Sequence, residues 1–257
     1  MKIFVVSDIH SYYDAMMDAL IANGFNINDK SHKVVICGDL FDRGKQAVKC
    51  FEFATQMAAE GRLYYILGNH EELLFDCIND MQCRSVREHH ISNGTVDTIM
   101  QFTGLNYYDL LGGWCLDEME VKMKPVLDFI INNTVDYAIF EDYIFVHGWV
   151  PSDPKTCKVD DNWTSVDANW AAARWENGMQ AWHRGARIPD KTIVCGHWHC
   201  SWGHSHLRLD RKEFPAKNRV DWQKSFEPFI DEGIVAIDAC TAYTGFVNCY
   251  TLEVDDE

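Results

Sequence analysis

The chain has 257 residues, with 47% hydrophobic and 24% charged composition, enough apolar material for one large α/β domain. No apolar run approaches the ~18 residues of a membrane-spanning helix, so no membrane partner is expected. A formal net charge of −16 argues against binding polynucleotides, which requires lysine and arginine to neutralise phosphates.

In chain order, Lys2–Val6 is a short β-branched run that predicts a buried strand. Tyr12–Ala22 has helical apolar spacing and ends at Asn23-Gly24, a helix terminator. A strand over Lys33–Cys37, a helix over Gln46–Ala59 and a strand over Arg62–Leu67 continue the alternation, which predicts βαβ units with parallel strands covered on both faces. Helices are expected over Glu72–Met81, Thr95–Phe102 and Glu118–Asn132. Paired strands over Val135–Phe140 and Tyr143–Val146 follow, joined by a turn at Glu141-Asp142. Residues 149–187 carry five tryptophans and read as a Trp-rich helical cap on a single domain spanning residues 1–257. Lys191–Cys195 is a strand, Ser201–Asp231 is polar and irregular, and Gly233–Asp238 with Gly245–Val254 should close the fold as a pair of strands. The acidic end Asp255-Asp256-Glu257 reads as a solvated terminus.

The ten cysteines include no CxxC pair, and several lie inside apolar strands, where a thiol acts as a small hydrophobe. The N-terminal apolar run is too short for a signal peptide. Free thiols and a cytoplasmic location are expected.

Five clusters each follow a predicted strand: Asp8-Ile9-His10, Gly38-Asp39-Leu40-Phe41-Asp42-Arg43-Gly44, Gly68-Asn69-His70-Glu71, Val146-His147-Gly148 and Gly196-His197-Trp198-His199. Loops at the carboxyl ends of strands in an open α/β sheet converge on one crevice, so these side chains should share a pocket. Imidazole with carboxylate suits manganese, iron or zinc.

In this order the clusters resemble the calcineurin-like metallophosphoesterase superfamily. GDxxDRG and GNHE resemble in particular its branch of phosphoprotein phosphatases and symmetrical diadenosine tetraphosphatases. The resemblance implies a four-layer α-β-β-α sandwich of two mixed sheets. It implies two divalent metal ions, manganese before iron or zinc, with Asp8, His10, Asp39 and His199 on the first. Asp39 would bridge to the second, completed by Asn69, His147 and His197. Cations sharing one carboxylate stand roughly 3.5–4 Å apart, a spacing that clamps both oxygens of an in-line displacement. His70 matches the general acid, Asp42 the carboxylate that orients it, and Arg43 the phosphate-binding arginine; Asn69 would also face substrate. A second arginine is sought in the cap, with Arg174 first and Arg184 and Arg187 behind it. Three departures stand out: serines flank Asp8-Ile9-His10, Lys45-Gln46-Ala47 follows the DRG loop, and GHxH adds His199.

The expected function is hydrolysis of a phosphomonoester, foremost a phosphoserine, phosphothreonine or phosphotyrosine in a protein. Symmetrical hydrolysis of diadenosine tetraphosphate, or of another nucleotide phosphoester, is the alternative, with a small phosphoester as partner. A metal-binding scaffold without activity is the non-enzyme alternative; it sits poorly with the retention of Asp39, Asp42 and His70. Each residue also has a bland reading. Arg174 between tryptophans could be a cation–π packing residue, and the tryptophans could pack helices or stack a base. Glu71 and Glu72 suit the first turn of a helix. His32, His89, His90 and His183 read as surface residues, and His204 with His206 as no third metal site.

Overall fold

A computed structural model describes residues 1–153, 155–207 and 223–254. Pro154, residues 208–222 and the acidic end lie outside the described residues. The chain begins β1 (Lys2–Val6), α1 (Tyr13–Ala22), β2 (His32–Cys37), α2 (Ala47–Ala59) and β3 (Leu63–Ile66). Helices α3 (Asn69–Gln82), α4 (Glu88–Ser92), α5 (Thr95–Thr103), α6 (Tyr107–Gly112) and α7 (Leu116–Asn133) follow. Then come β4 (Thr134–Val135), β5 (Ala138–Phe140), β6 (Tyr143–Phe145), α8 (Trp170–Ala173), α9 (Gly178–His183), β7 (Thr192–Cys195) and α10 (Cys200–His206). β8 (Phe229–Asp231), β9 (Ile234–Ala236), a helical turn at Thr241–Thr244 and β10 (Tyr250–Glu253) complete it.

Among the described residues the strands form two five-stranded sheets, ordered β10-β1-β2-β3-β4 and β5-β6-β7-β9-β8. Both are mixed. β1 to β4 run parallel with β10 antiparallel, and β6, β7 and β9 run parallel between antiparallel edges. Alternation of side chains along each strand feeds two different cores. Phe4, Val6, Val34 and Ile36 face an outer core built with α1, α2, α3, α5 and α7. Ile3, Val5, Val35 and Cys37 face an inner core shared with Phe145, Val194, Val235 and Ile237 of the second sheet. Ile144, Ile193, Ile234 and Ala236 turn to a second outer core, against Trp149, Trp170 and Trp182. Strands buried on both faces read as unbroken apolar runs, which is why they were visible in the sequence. The result is the four-layer α-β-β-α sandwich.

Several local expectations are corrected. The run 135–140 is divided between sheets: β4 ends on the first, β5 begins the second, and the hairpin to β6 turns at Glu141 in left-handed backbone (φ 52°). The last two predicted strands do not pair with each other; β9 lies in the second sheet and β10 against β1. The stretch after His199 opens with α10 instead of irregular chain. His90 is fully buried with Nε2 3.0 Å from Asp80, so it is not a surface residue. His204 lies against the Glu227 carbonyl while His206 stacks on Trp202, in keeping with their reading as no third metal site.

Within residues 149–187 the tryptophans part company. Trp149, Trp170 and Trp182 are buried in the second outer core, and Trp163 touches Trp170 with ring centroids 6.2 Å apart. Trp175 is 49% exposed. All ten cysteines are free thiols.

Candidate metal centre

Loops leaving the carboxyl ends of β1, β2, β3, β6, β7 and β9 meet along one edge of the sandwich. Their backbones are stitched to one another: Asp8 N–H donates to the Gly38 carbonyl (3.2 Å), His10 N–H to Asp39 (3.0 Å) and Gly196 N–H to His147 (2.8 Å). Such close passage excludes side chains. A Cβ on Gly68 would collide with the Asp39 carboxylate and its backbone nitrogen. Among the described residues twelve non-glycine positions have left-handed backbone, and Asp8, His10, Asp39, Asp42, Arg43, His197 and Cys240 are seven of them. Sparsely populated backbone of this kind gathers at functional sites.

The loops enclose a cavity of about 160 Å3. Asp8, His10, Asp39, Asn69, His197 and His199 line it, with His70 and Arg43 beside them. Asp39 is central. Its Oδ1 is 3.3 Å from His147 Nε2, and its Oδ2 is 3.8 Å from His10 Nε2 and 3.9 Å from His70 Nε2. Two groups of potential ligands therefore share this carboxylate: His10 with His70 on one side, His147 with His197 on the other. Asp8 and His199, expected on the first metal, lie on the same cavity wall, where His199 Nε2 is 3.9 Å from Asp238.

Tautomers can be argued from partners. His147 Nδ1 is 2.8 Å from the Cys37 carbonyl, which can only accept, so Nδ1 carries a proton. In the neutral ring the Nε2 lone pair then faces Asn69 Oδ1 at 2.7 Å and Asp39 Oδ1 at 3.3 Å. Three acceptors on one point fit a cation. His10 repeats the pattern, with Nδ1 on the Phe41 carbonyl at 3.0 Å and Nε2 toward Asp39. Burial, reinforced by neighbouring cationic groups, holds His10 well below its ordinary pKa. Burial, with His147 beside it, takes His197 down to about 3. Both rings are thus kept in the neutral form that ligates. Burial pushes Asp39 up to about 6 against the pull of His147 and His70.

His70 stands in the first turn of α3, not in a loop before it. Its Nδ1 is 2.7 Å from Asp42 Oδ2, and Asp42 is fully buried, held by Thr95 Oγ1 (2.7 Å) and Thr98 Oγ1 (2.9 Å). Burial alone would lower the imidazole's pKa; Asp39 and Asp42 outweigh it and raise it to about 9. Arg43 Nη2 is 3.4 Å from His70 Nε2. Arg174 is elsewhere: it is buried, pairs with Glu72 (3.0 Å) and Asp136 (3.1 Å), and does not line the cavity. Two carboxylates that α3 and the β4–β5 link happen to present have claimed it.

Sequence reasoning passed over the supporting roles of four residues. Asp238, buried beside Asp8 and His199, follows the apolar run of β9 just as the other clusters follow theirs, and that pattern could have found it. Thr95 and Thr98 are more than fifty positions from Asp42 and carry no local signal. Glu71 does more than cap a helix. It accepts from the N–H groups of Asp39, Leu40 and Gly68 (each 2.9 Å) and from Tyr65 Oη (2.7 Å), tying the β2 and β3 loops together. Glu71→Ala would leave these buried donors unpaired. A loss of about 3 kcal/mol or more in unfolding free energy is expected, measured by denaturant titration of metal-free protein. A loss under about 1 kcal/mol would mean water replaces the carboxylate.

Along one edge of a doubly covered pair of mixed sheets, the loops gather imidazoles and carboxylates around one shared aspartate, an arrangement that could hold metal ions. The profile described as calcineurin-like phosphoesterase matches residues 1–208, and the chain belongs to that family. Over 77 residues it is 31% identical to the bis(5'-nucleosyl)-tetraphosphatase PrpE [asymmetrical] of Bacillus subtilis (strain 168), covering 28% of this chain and 32% of the relative. The protein of the same name from Oceanobacillus iheyensis is 30% identical over 81 residues, covering 29% and 32%. The match spans about a third of the length of these relatives. The fold is similar to that of a cold-active protein-tyrosine phosphatase from a psychrophilic Shewanella, at 16% identity and a TM-score of 0.51, covering 98% of this chain and 75% of that one. No helix among the described residues is long and apolar enough to cross a membrane.

Proposed function

We propose that this chain is a two-metal phosphomonoesterase in which Asp39 bridges the cations. The observation that carries this reading is the pair of ligand groups meeting on that one carboxylate. Asp8, His10, Asp39 and His199 would hold one divalent ion, and Asp39, Asn69, His147 and His197 the other. Manganese suits this oxygen and imidazole set, with iron or zinc as substitutes. Bound, the cations would supply Lewis-acid charge to the phosphoryl group and acidify the attacking water. The protein's own groups do the rest. Arg43 presents a planar fork of N–H donors to phosphoryl oxygens. His70, protonated and held by Asp42, delivers a proton to the leaving oxygen. Asp238 positions His199. Arg174 braces Glu72 and Asp136, a different part from the substrate contact expected of it. Residues 149–187 act as one layer of a single domain, with Trp175 at the cavity. The free thiols support a reducing, cytoplasmic setting.

Among the described residues Arg43 is the one lysine or arginine lining the cavity. A single phosphoryl dianion matches one arginine and two metals, whereas a polyphosphate chain calls for more basic residues. This favours a phosphomonoester, foremost a phosphoserine, phosphothreonine or phosphotyrosine in a protein. The rival is a dinucleoside tetraphosphate, supported by the names of the relatives and by the exposed indole of Trp175. Those relatives are named for asymmetrical cleavage, unlike the symmetrical cleavage expected from the sequence clusters. A substrate panel with manganese decides between the two readings. Phosphopeptides and a chromogenic monoester should be cleaved with higher kcat/KM than diadenosine tetraphosphate; the opposite order would overturn the monoester reading.

A further inference from the structure

Tryptophan is expensive to leave in water, since its large apolar face gains most from burial. Two indoles flank one expected metal ligand and remain exposed. Trp175 is 49% exposed and Trp198 40%. Their rings stand edge-on to His197, at 5.8 Å and 85° for Trp175 and 6.5 Å and 75° for Trp198. Trp175 lines the cavity together with Arg43 and His70. Its backbone is held in place, with the N–H donating to the Ala172 carbonyl at 3.0 Å. Trp198 is fixed from the other side, edge-on to Trp202 at 6.2 Å, and Trp202 stacks on His206 at 4.9 Å and 14°. Trp198 does not itself line the cavity but adjoins it through His197, whereas Trp114, also exposed, is in neither position. Preorganised flat surfaces beside a phosphoryl site match a ligand that is itself flat.

We propose that Trp175, flanked by Trp198, is a platform for the leaving group, and that the substrate is a phosphoester carrying a planar ring there. The ring can be the phenol of an aryl or tyrosyl phosphate, or the base of a nucleotide; both offer the same π-face. This rests on the phosphoesterase reading of the same cavity and narrows its substrate class. Alkyl phosphates, serine and threonine esters among them, gain nothing from the platform. Stacking on one tryptophan carries enough energy for about 10- to 100-fold discrimination.

The test uses the full chain with manganese, comparing wild type with Trp175→Ala, Trp175→Phe and Trp198→Ala. Kinetics are read on phenyl phosphate, ethyl phosphate and diadenosine tetraphosphate. Binding of phenylphosphonate and methylphosphonate is measured calorimetrically, so that a readout exists without turnover. Trp175→Ala should lower kcat/KM on the ring-bearing substrates at least about tenfold more than on ethyl phosphate, chiefly through KM. It should erase the preference for phenylphosphonate, and Trp175→Phe should restore most of both. Trp198→Ala should give the same selective loss in smaller measure. Equal losses on phenyl and ethyl phosphate would mean that Trp175 merely positions His197, and the platform falls while the hydrolase stands. If wild type cleaves the dinucleotide and no monoester, the monoester reading falls, and the phosphonate pair still judges the platform. Equal phosphonate affinities in wild type would overturn it.

Discussion

Asp39→Asn should yield a folded protein nearly empty of metal and nearly without turnover. The carboxylate works on two sides at once. Oδ1 faces His147 Nε2 at 3.3 Å and accepts from the His70 backbone N–H at 3.0 Å, while Oδ2 faces His10 Nε2 at 3.8 Å. An asparagine can keep its oxygen where the His70 N–H needs an acceptor, which turns its NH2 toward His10. One side then offers a donor where a cation requires a lone pair, so under the proposed bridging role one metal would lose its carboxylate entirely and the other a full negative charge. Folding should survive, because the side chain is isosteric and removes a charge that burial makes costly. Elemental analysis should find two metal equivalents in wild type and fewer than one in the variant. Unchanged metal content would refute the bridging role.

His70→Ala should keep both metals and slow turnover by ~10²–10⁴, the usual worth of general acid catalysis. The imidazole is held by a short contact to a fully buried Asp42, which two threonines grip in turn. The dyad is therefore rigid, and its proton faces the cavity through Nε2. A leaving group that departs as a stable anion needs no proton, so the defect should shrink on a nitrophenyl ester and be largest on an alkyl phosphate. Asp42→Asn should follow the same ranking with smaller losses. Equal losses on both esters would remove His70 from the role of acid.

What the sequence disclosed and what it hid have physical causes. Strands such as Phe4–Val6 and Val34–Cys37 are buried on both faces and leave an unmistakable apolar run. The loop clusters were legible because each sits directly after such a run. The split of 135–140 between two sheets was hidden, because two short edge strands alternate like one long one. Arg174 misled because the sequence shows its neighbours along the chain, Ala173 and Trp175, and not Glu72 and Asp136, which meet it across the fold. The grip of Thr95 and Thr98 on Asp42 is likewise purely tertiary. Asn69 and His70 lie inside the helix expected to start at Glu72, since Glu71 accepts from the Gly68 N–H and lets α3 begin three residues earlier. Trp175 and Trp182 share helical spacing, yet the chain between α8 and α9 breaks it and sends one indole to the cavity and the other into the core.

The inner core has a mechanical implication. Asp39 and Asn69 hang from the first sheet, His147 and His197 from the second, and the distance between those pairs is set by the packing of Val5, Val35, Val194 and Val235 in the seam. Cations shared across that seam would act as rivets between two plates. Sliding of one sheet over the other and release of the metals are then a single event, and the affinity of the rivets is added to the cohesion of the plates. Deep valines that never touch a substrate thereby become the gauge to which the reacting atoms are set.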